Sequence, residues 1–182
     1  GANRIEEVVE GDGTEAIRIA DDGAGMSESA VRKAVRKHTT SKIRDIDDLE
    51  SGVGTLGFRG EALATIGAVS RLTITTRPRD DSEATATRLR LEGGEVTDVS
   101  AAGRAPGTTV AVEDLFFNTP ARRKYLKTAA TEFARINRVV TRYALANPDV
   151  AVSLEHDGRE VFATTGQGDL QGAIMSVYGR DV

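Results

Sequence analysis

Cysteine is absent from the 182 residues, which excludes a disulfide framework, a thiolate metal site and a thiol nucleophile. Histidine is scarce, and His38 and His156 stand too far apart for metal-ligand spacing. No apolar run approaches membrane-spanning length and no signal-like apolar stretch opens the chain, which points to the cytosol. The sequence GxxxxGK followed by Ser or Thr occurs nowhere, so a P-loop is excluded, and there is no internal repeat or low-complexity segment. Positive charge is also short: the net charge of -4 argues against binding nucleic acid by bulk electrostatics, while leaving room for local basic clusters. An initiator methionine is missing, and Gly1 leads straight into strand-like sequence, so a fragment of a longer protein is expected. The length suits one domain able to bury a sizeable core, or one domain with the edge of another.

What is present reads as alternating strands and short helices. Arg4 to Glu10 and Thr14 to Ala20 are β-like and flank a Gly11-Asp12-Gly13 turn, which predicts an opening hairpin. Ser27, Glu28, Val31, Ala34 and Val35 predict a capped amphipathic helix to about Lys37. Thr39 to Gly60 is polar and glycine-rich and reads as a mobile loop, with one short helix around Asp47 to Glu50, before helical content resumes at Glu61 to Val69. Arg71 to Arg77, Thr85 to Glu92, Glu95 to Ala101 and Thr108 to Glu113 read as consecutive strands, an antiparallel stretch that speaks against a purely doubly wound sheet. Thr119 as cap and Pro120 in the first turn predict a helix through ARRKYLK. A longer helix is expected over about Thr131 to Ala146, ended before Pro148, then strands Val150 to Leu154 and Arg159 to Thr164, then a last helix over Asp169 to Val177.

Two motifs carry chemistry. Asp21, Gly23 and Gly25 in the run DDGAGM sit at a strand's end, where a carboxylate can accept from the amino group of a purine and glycines let the backbone turn and clear room for a ring. An ordinary Asp-Gly turn has the same residues, so this signal is weak alone. The second motif is GFRGEAL, Gly57 to Leu63, a glycine-rich loop running into a helix whose free N-H groups suit phosphates. Together they predict a two-part nucleotide pocket, with ATP as the ligand. Gly52, Gly54 and Gly57 spell GxGxxG, but the preceding DIDDLES is acidic and polar and no acidic residue stands at the ribose distance, so a Rossmann site is rejected. Lys42 and Arg59 can add charge to a phosphate cradle. Thr108 opens a strand and can support the base edge, while Arg122, Arg123, Lys124 and Lys127 form a basic helical face that is more often solvated surface than a DNA site.

Taken in order, DDGAGM, KHTTSKI (Lys37 to Ile43), GFRGEAL and GTTVAVEDLFFNTPARRKYL (Gly107 to Leu126) closely resemble the ATPase domain of the MutL mismatch-repair family, over nearly the whole chain. GFRGEAL and NTPARRK are the specific part, since DxGxG is shared with gyrase B, heat-shock chaperones and histidine kinases. The resemblance implies an α+β fold of the Bergerat (GHKL ATPase) type, a two-layer sandwich with a mixed, largely antiparallel sheet and helices on one face. Carried over by position, Asp21 contacts adenine, Gly23 and Gly25 shape that pocket and Thr108 supports it. Thr40, Ser41 and Lys42 belong to the lid side, and Gly57, Phe58, Arg59, Gly60, Glu61, Ala62 and Leu63 bind phosphate, mainly through backbone N-H groups. It further implies ATP and Mg2+ as cofactors, an ATP-dependent homodimer or paralogue heterodimer, a mismatch-recognition partner of the MutS type, DNA contacted through the parent protein, and a cytoplasmic (nucleoid) or nuclear location away from membranes. The ATPase domain is expected over residues 1–168 and the start of the following transducer domain or a linker over 169–182.

One departure stands out. In this family a helix ahead of the first hairpin supplies a Glu general base and, four positions later, an Asn that holds magnesium; none of the four asparagines here has a Glu four residues before it. Glu61 at a helix start is accounted for by the helix dipole. With no catalytic or metal-ligating residue of its own, the chain alone is expected to hydrolyse ATP weakly or not at all, because phosphoryl transfer depends on a positioned water and a metal. A non-catalytic interaction domain of the same fold, and a gyrase-like or chaperone ATPase, are the competing readings; the intact nucleotide motifs weigh against the first and NTPARRK against the second.

Overall fold

Among the described residues, the register of eight strands puts alternate apolar side chains on one face of a sheet. The structure, a computed structural model, describes residues 1–36, 61–81 and 84–179. Its strands are β1 (Arg4–Glu10), β2 (Ala16–Asp21), β3 (Arg71–Arg77), β4 (Ala86–Glu92), β5 (Glu95–Ala102), β6 (Gly107–Glu113), β7 (Ala151–His156) and β8 (Arg159–Ala163). They lie in the order β5-β4-β3-β6-β2-β1-β7-β8. Every neighbouring pair is antiparallel except β1 with β7, which is parallel. This is the mixed, largely antiparallel α+β sheet that the sequence predicts.

Side-chain alternation along each strand separates the two faces. Cross-strand pairing aligns Leu89, Ile74, Val110 and Ile19 in one row and Leu91, Leu72, Val112, Ile17 and Val9 in the next, all on the face that the helices cover. The opposite face carries Arg88, Thr75, Thr109 and Ala20 in register. Among the described residues the helices are α1 (Glu28–Ala34), α2 (Ala62–Gly67), α3 (Pro120–Arg123), α4 (Ala129–Ala146) and α5 (Leu170–Tyr178).

Two core clusters hold helices to sheet. Val31 and Val35 of α1, with Leu63 and Ile66 of α2, pack on Leu72, Ile74, Leu89 and Leu91. Phe133, Ile136, Val140 and Ala144 of α4, with Val177 of α5, pack on Val9, Val152, Leu154 and Phe162. Leu72, Ile74, Leu89 and Leu154 are fully buried, each worth roughly 2–3 kcal/mol against exposure. Between the clusters Ile19 remains 39% exposed. Helix α5, beyond the boundary expected at Gly168, buries Ala173 and rests on the second cluster.

Helix ends follow local chemistry. The Ser27 side chain accepts from the Ala30 N-H at 3.3 Å, and Glu28 pairs with Arg32 one turn on at 2.8 Å. Helix α4 begins two residues before the expected Thr131, because the Thr128 side chain accepts from the Thr131 N-H. The helix expected at Thr119 does start with Pro120 in its first turn, but two corrections apply. It runs only to Arg123, the chain tightening into three-residue bonds as the Tyr125 N-H donates to the Arg122 carbonyl and the Leu126 N-H to that of Arg123. The Thr119 hydroxyl does not cap it; that oxygen is buried without a hydrogen-bond partner among the described residues.

Candidate functional site

The end of β2 and the starts of two turns converge beside β6. Register pairs Asp21 with Thr108 of β6, and Thr108 with Thr76 of β3, so three polar side chains form a row across three adjacent strands on the helix-covered face. Elsewhere on that face the same strands carry Ile19, Val110 and Ile74, so the row is a polar rim on an apolar surface. Thr76 is fully buried. Its Oγ1 accepts from the Met26 N-H at 2.9 Å, lies 3.0 Å from the Thr108 hydroxyl and 3.1 Å from the Gly107 carbonyl. Burying a hydroxyl is costly unless it is satisfied in this way.

The Asp21 carboxylate is held by its own turn. Its Oδ1 accepts from the Gly23 N-H at 2.8 Å, while Oδ2 has no hydrogen-bond partner among the described residues. The turn that follows needs glycine for a steric reason. Gly25 has a φ of 66°, and a Cβ there would sit 1.8 Å from the Arg77 carbonyl oxygen. A Cβ on Gly107, at a φ of 126°, would sit 2.2 Å from the Asp21 carbonyl oxygen. Missing side chains at these positions let the ends of β2, β3 and β6 close on one another.

Of the residues expected to meet phosphate, Glu61 stands at the cap position of α2, exposed and without a side-chain cap bond, and its carbonyl accepts from the Thr65 N-H at 2.9 Å. Ala62 is exposed, and Leu63 packs on the cluster shared with α1. Thr40, Ser41, Lys42, Gly57, Phe58, Arg59 and Gly60 lie outside the described residues, as do the short helix expected around Asp47 and the loop expected over Thr39 to Gly60. Asp21, Gly23, Gly25 and Thr108 are thus brought together, and the structure adds Thr76 and Gly107, which sequence reasoning did not single out as partners of Asp21. Only the strand register carries that signal.

The remaining charged groups play other parts. Arg122, Arg123, Lys124 and Lys127 are exposed. His156 stacks on Phe133 with ring centroids 3.6 Å apart and has its Nε2 2.8 Å from the Gly11 carbonyl oxygen, tying α4 and β7 to the first hairpin. Among the described residues no group of three His, Cys, Asp or Glu could hold a metal ion. The chemistry on offer is recognition: a carboxylate oxygen open to a donor, a hydroxyl beside it, and an apolar surface adjoining both.

Residues 2–102, more than half of the chain, match the family described as Histidine kinase-, DNA gyrase B-, and HSP90-like ATPase. The chain belongs to that family. Within this ATPase family the resemblance to MutL is borne out. The DNA mismatch repair protein MutL of Halobacterium salinarum is 61% identical over 182 residues, all of this chain and 27% of that protein. The MutL of Symbiobacterium thermophilum is 48% identical over 181 residues, 100% of this chain and 28% of that protein. The chain therefore spans little more than a quarter of the curated relatives it matches. Among solved structures, the Aquifex aeolicus MutL ATPase domain complexed with ADP aligns with a TM-score of 0.74 and 28% identity, covering 97% of this chain and 61% of that one. The N-terminal domain of a DNA repair protein aligns at 0.79 and 30% identity, covering 98% and 52%. The two-layer sandwich expected from the sequence is the fold that these ATPase domains share.

Proposed function

We propose that this chain binds ATP, as the nucleotide-binding part of a MutL-like mismatch-repair protein. The observation that carries the proposal is the row Asp21, Thr108 and Thr76, in which one carboxylate oxygen has no hydrogen-bond partner among the described residues. Adenine presents an amino donor where guanine presents a carbonyl acceptor, so an open carboxylate favours the first base and repels the second. Gly23 and Gly25 shape the turn beside it, and Thr108 supports the base edge. Thr40, Ser41 and Lys42 serve the lid side, and Gly57 to Leu63 take the phosphates through backbone N-H groups. The ADP bound by the Aquifex aeolicus relative supports this assignment.

The parent protein, on this proposal, uses Mg2+ and ATP to close a homodimer or paralogue heterodimer, meets a MutS-type partner and contacts DNA. It works inside the cell, in the nucleoid or nucleus; no helix among the described residues is long and apolar enough to cross a membrane. These 182 residues by themselves turn ATP over weakly or not at all, lacking the Glu and Asn pair described above. Calorimetric titration with a non-hydrolysable ATP analogue tests the pocket. Specific binding is expected, weakened at least tenfold by Asp21→Asn, which replaces an acceptor-only group by an amide. Binding of equal strength in the variant contradicts the proposal.

A further inference from the structure

Arg104 lies in the loop between β5 and β6, and its guanidinium points at backbone rather than at an acid among the described residues. Nη2 donates to the main-chain oxygen of Asp21 at 2.8 Å, and the carbonyl of Arg104 accepts from Arg77 Nη1 at 3.3 Å. Nη1 is buried without a hydrogen-bond partner among the described residues, 2.9 Å from where a Cβ on Gly107 would stand. The guanidinium therefore fits over the glycine that opens β6 and reaches across to the last residue of β2. Any side chain at position 107 would displace it.

This is a costly way to satisfy one carbonyl. A cation is partly withdrawn from water, and one of its donors goes unpaired among the described residues. Burial pushes the guanidinium below the ordinary arginine value, the Asp21 negative charge works in the opposite direction, and Arg18 adds to the lowering. The compensating charge is thus the carboxylate of the residue whose main chain Arg104 already grips. Through Arg77 the same contact reaches β3, whose Arg77 carbonyl abuts Gly25.

We propose that Arg104 is a positioning residue for the nucleotide site: it pins the main chain of Asp21 and so fixes the direction in which that carboxylate meets the base. The inference rests on the ATP reading above. Its consequence is selective. Loss of the grip weakens adenine recognition, which depends on the carboxylate, and leaves the phosphate-side contacts of any nucleotide in place.

Calorimetry of the protein with ATP and GTP analogues, wild type against Arg104→Ala and Arg104→Lys, tests it, with thermal unfolding recorded alongside. Wild type is expected to prefer the ATP analogue. Arg104→Ala lowers ATP affinity roughly tenfold, the scale of one charge-assisted hydrogen bond, and leaves GTP affinity unchanged, so the preference shrinks. Arg104→Lys, which keeps the charge and a single donor, gives an intermediate preference and serves as the reading if the alanine variant does not fold. Equal weakening of both nucleotides, or an unchanged preference in the lysine variant, overturns the proposal. Failure of the wild type to bind ATP instead overturns the reading on which it rests.

Discussion

Gly25 is where a single methyl group is expected to do most damage. A Cβ would lie 1.8 Å from the Arg77 carbonyl, at a φ of 66° that alanine adopts only under strain. Backbone strain and overpacking together predict that Gly25→Ala costs about 2–4 kcal/mol, read as a lower denaturant midpoint at unchanged slope. Glu7 offers a second residue-scale test. It stands on the helix-covered face of β1, paired across the sheet with Ile19 and Leu154, and burial there raises its carboxyl from 4.5 to about 7. A folded-state value above the unfolded one means that the stabilisation is complete below pH 4.5, falls as pH rises toward 7, and stays constant above it. Asp12 and Asp22 run the other way: the Thr14 hydroxyl and the Arg4 N-H respectively are the largest causes lowering their values, so their contributions are lost as pH falls. Glu7→Gln is therefore expected to be neutral near pH 4 and to stabilise the protein by roughly 2–3 kcal/mol at pH 8, measured by denaturant titration at both. Equal effects at the two pH values contradict the assignment. Glu7 itself is not legible in the sequence as a buried acid, because RIEEVVE reads as a strand with polar members on either face until the pairing with β2 and β7 is known.

Among the elements, α4 depends most visibly on its first turn. Thr128 caps it and Glu132 reaches back to accept from the Lys127 N-H at 2.8 Å while pairing with Arg135. Thr128→Ala is expected to cost about 1 kcal/mol, seen as a drop in the unfolding midpoint with the fold retained. A loss below a few tenths would show that the Glu132 contacts alone fix the start. Helix and strand positions were largely readable, since strands announce themselves by β-branched alternation and helices by caps and periodicity. The shortness of α3 was not, because nothing in ARRKYLK opposes a helix, yet the chain tightens after Arg123 into three-residue bonds.

For the whole molecule, sheet order is what the sequence could not supply. Asp21, Thr76 and Thr108 meet only because β6 lies between β2 and β3, and Arg104 joins them from a loop with no recognisable pattern. The Asp21 turn was legible as a turn because glycines close behind an acid at a strand's end are turn chemistry, and the end of the GFRGEAL run was legible as a helix start, Ala62 opening α2, while Gly57 to Gly60 lie outside the described residues. Among the described residues the helices cover one face of the sheet, and on the proposed function base recognition is expected at the polar rim of that face, at the C-terminal end of β2. Amide resonances in solution test that placement most directly, followed as a non-hydrolysable ATP analogue is added. Shifts concentrated at Gly23, Gly25, Met26 and Thr108, absent in Asp21→Asn, are predicted, with the distant Asp157-Gly158 turn unmoved. Shifts centred away from that row, or persisting unchanged in the variant, would contradict it.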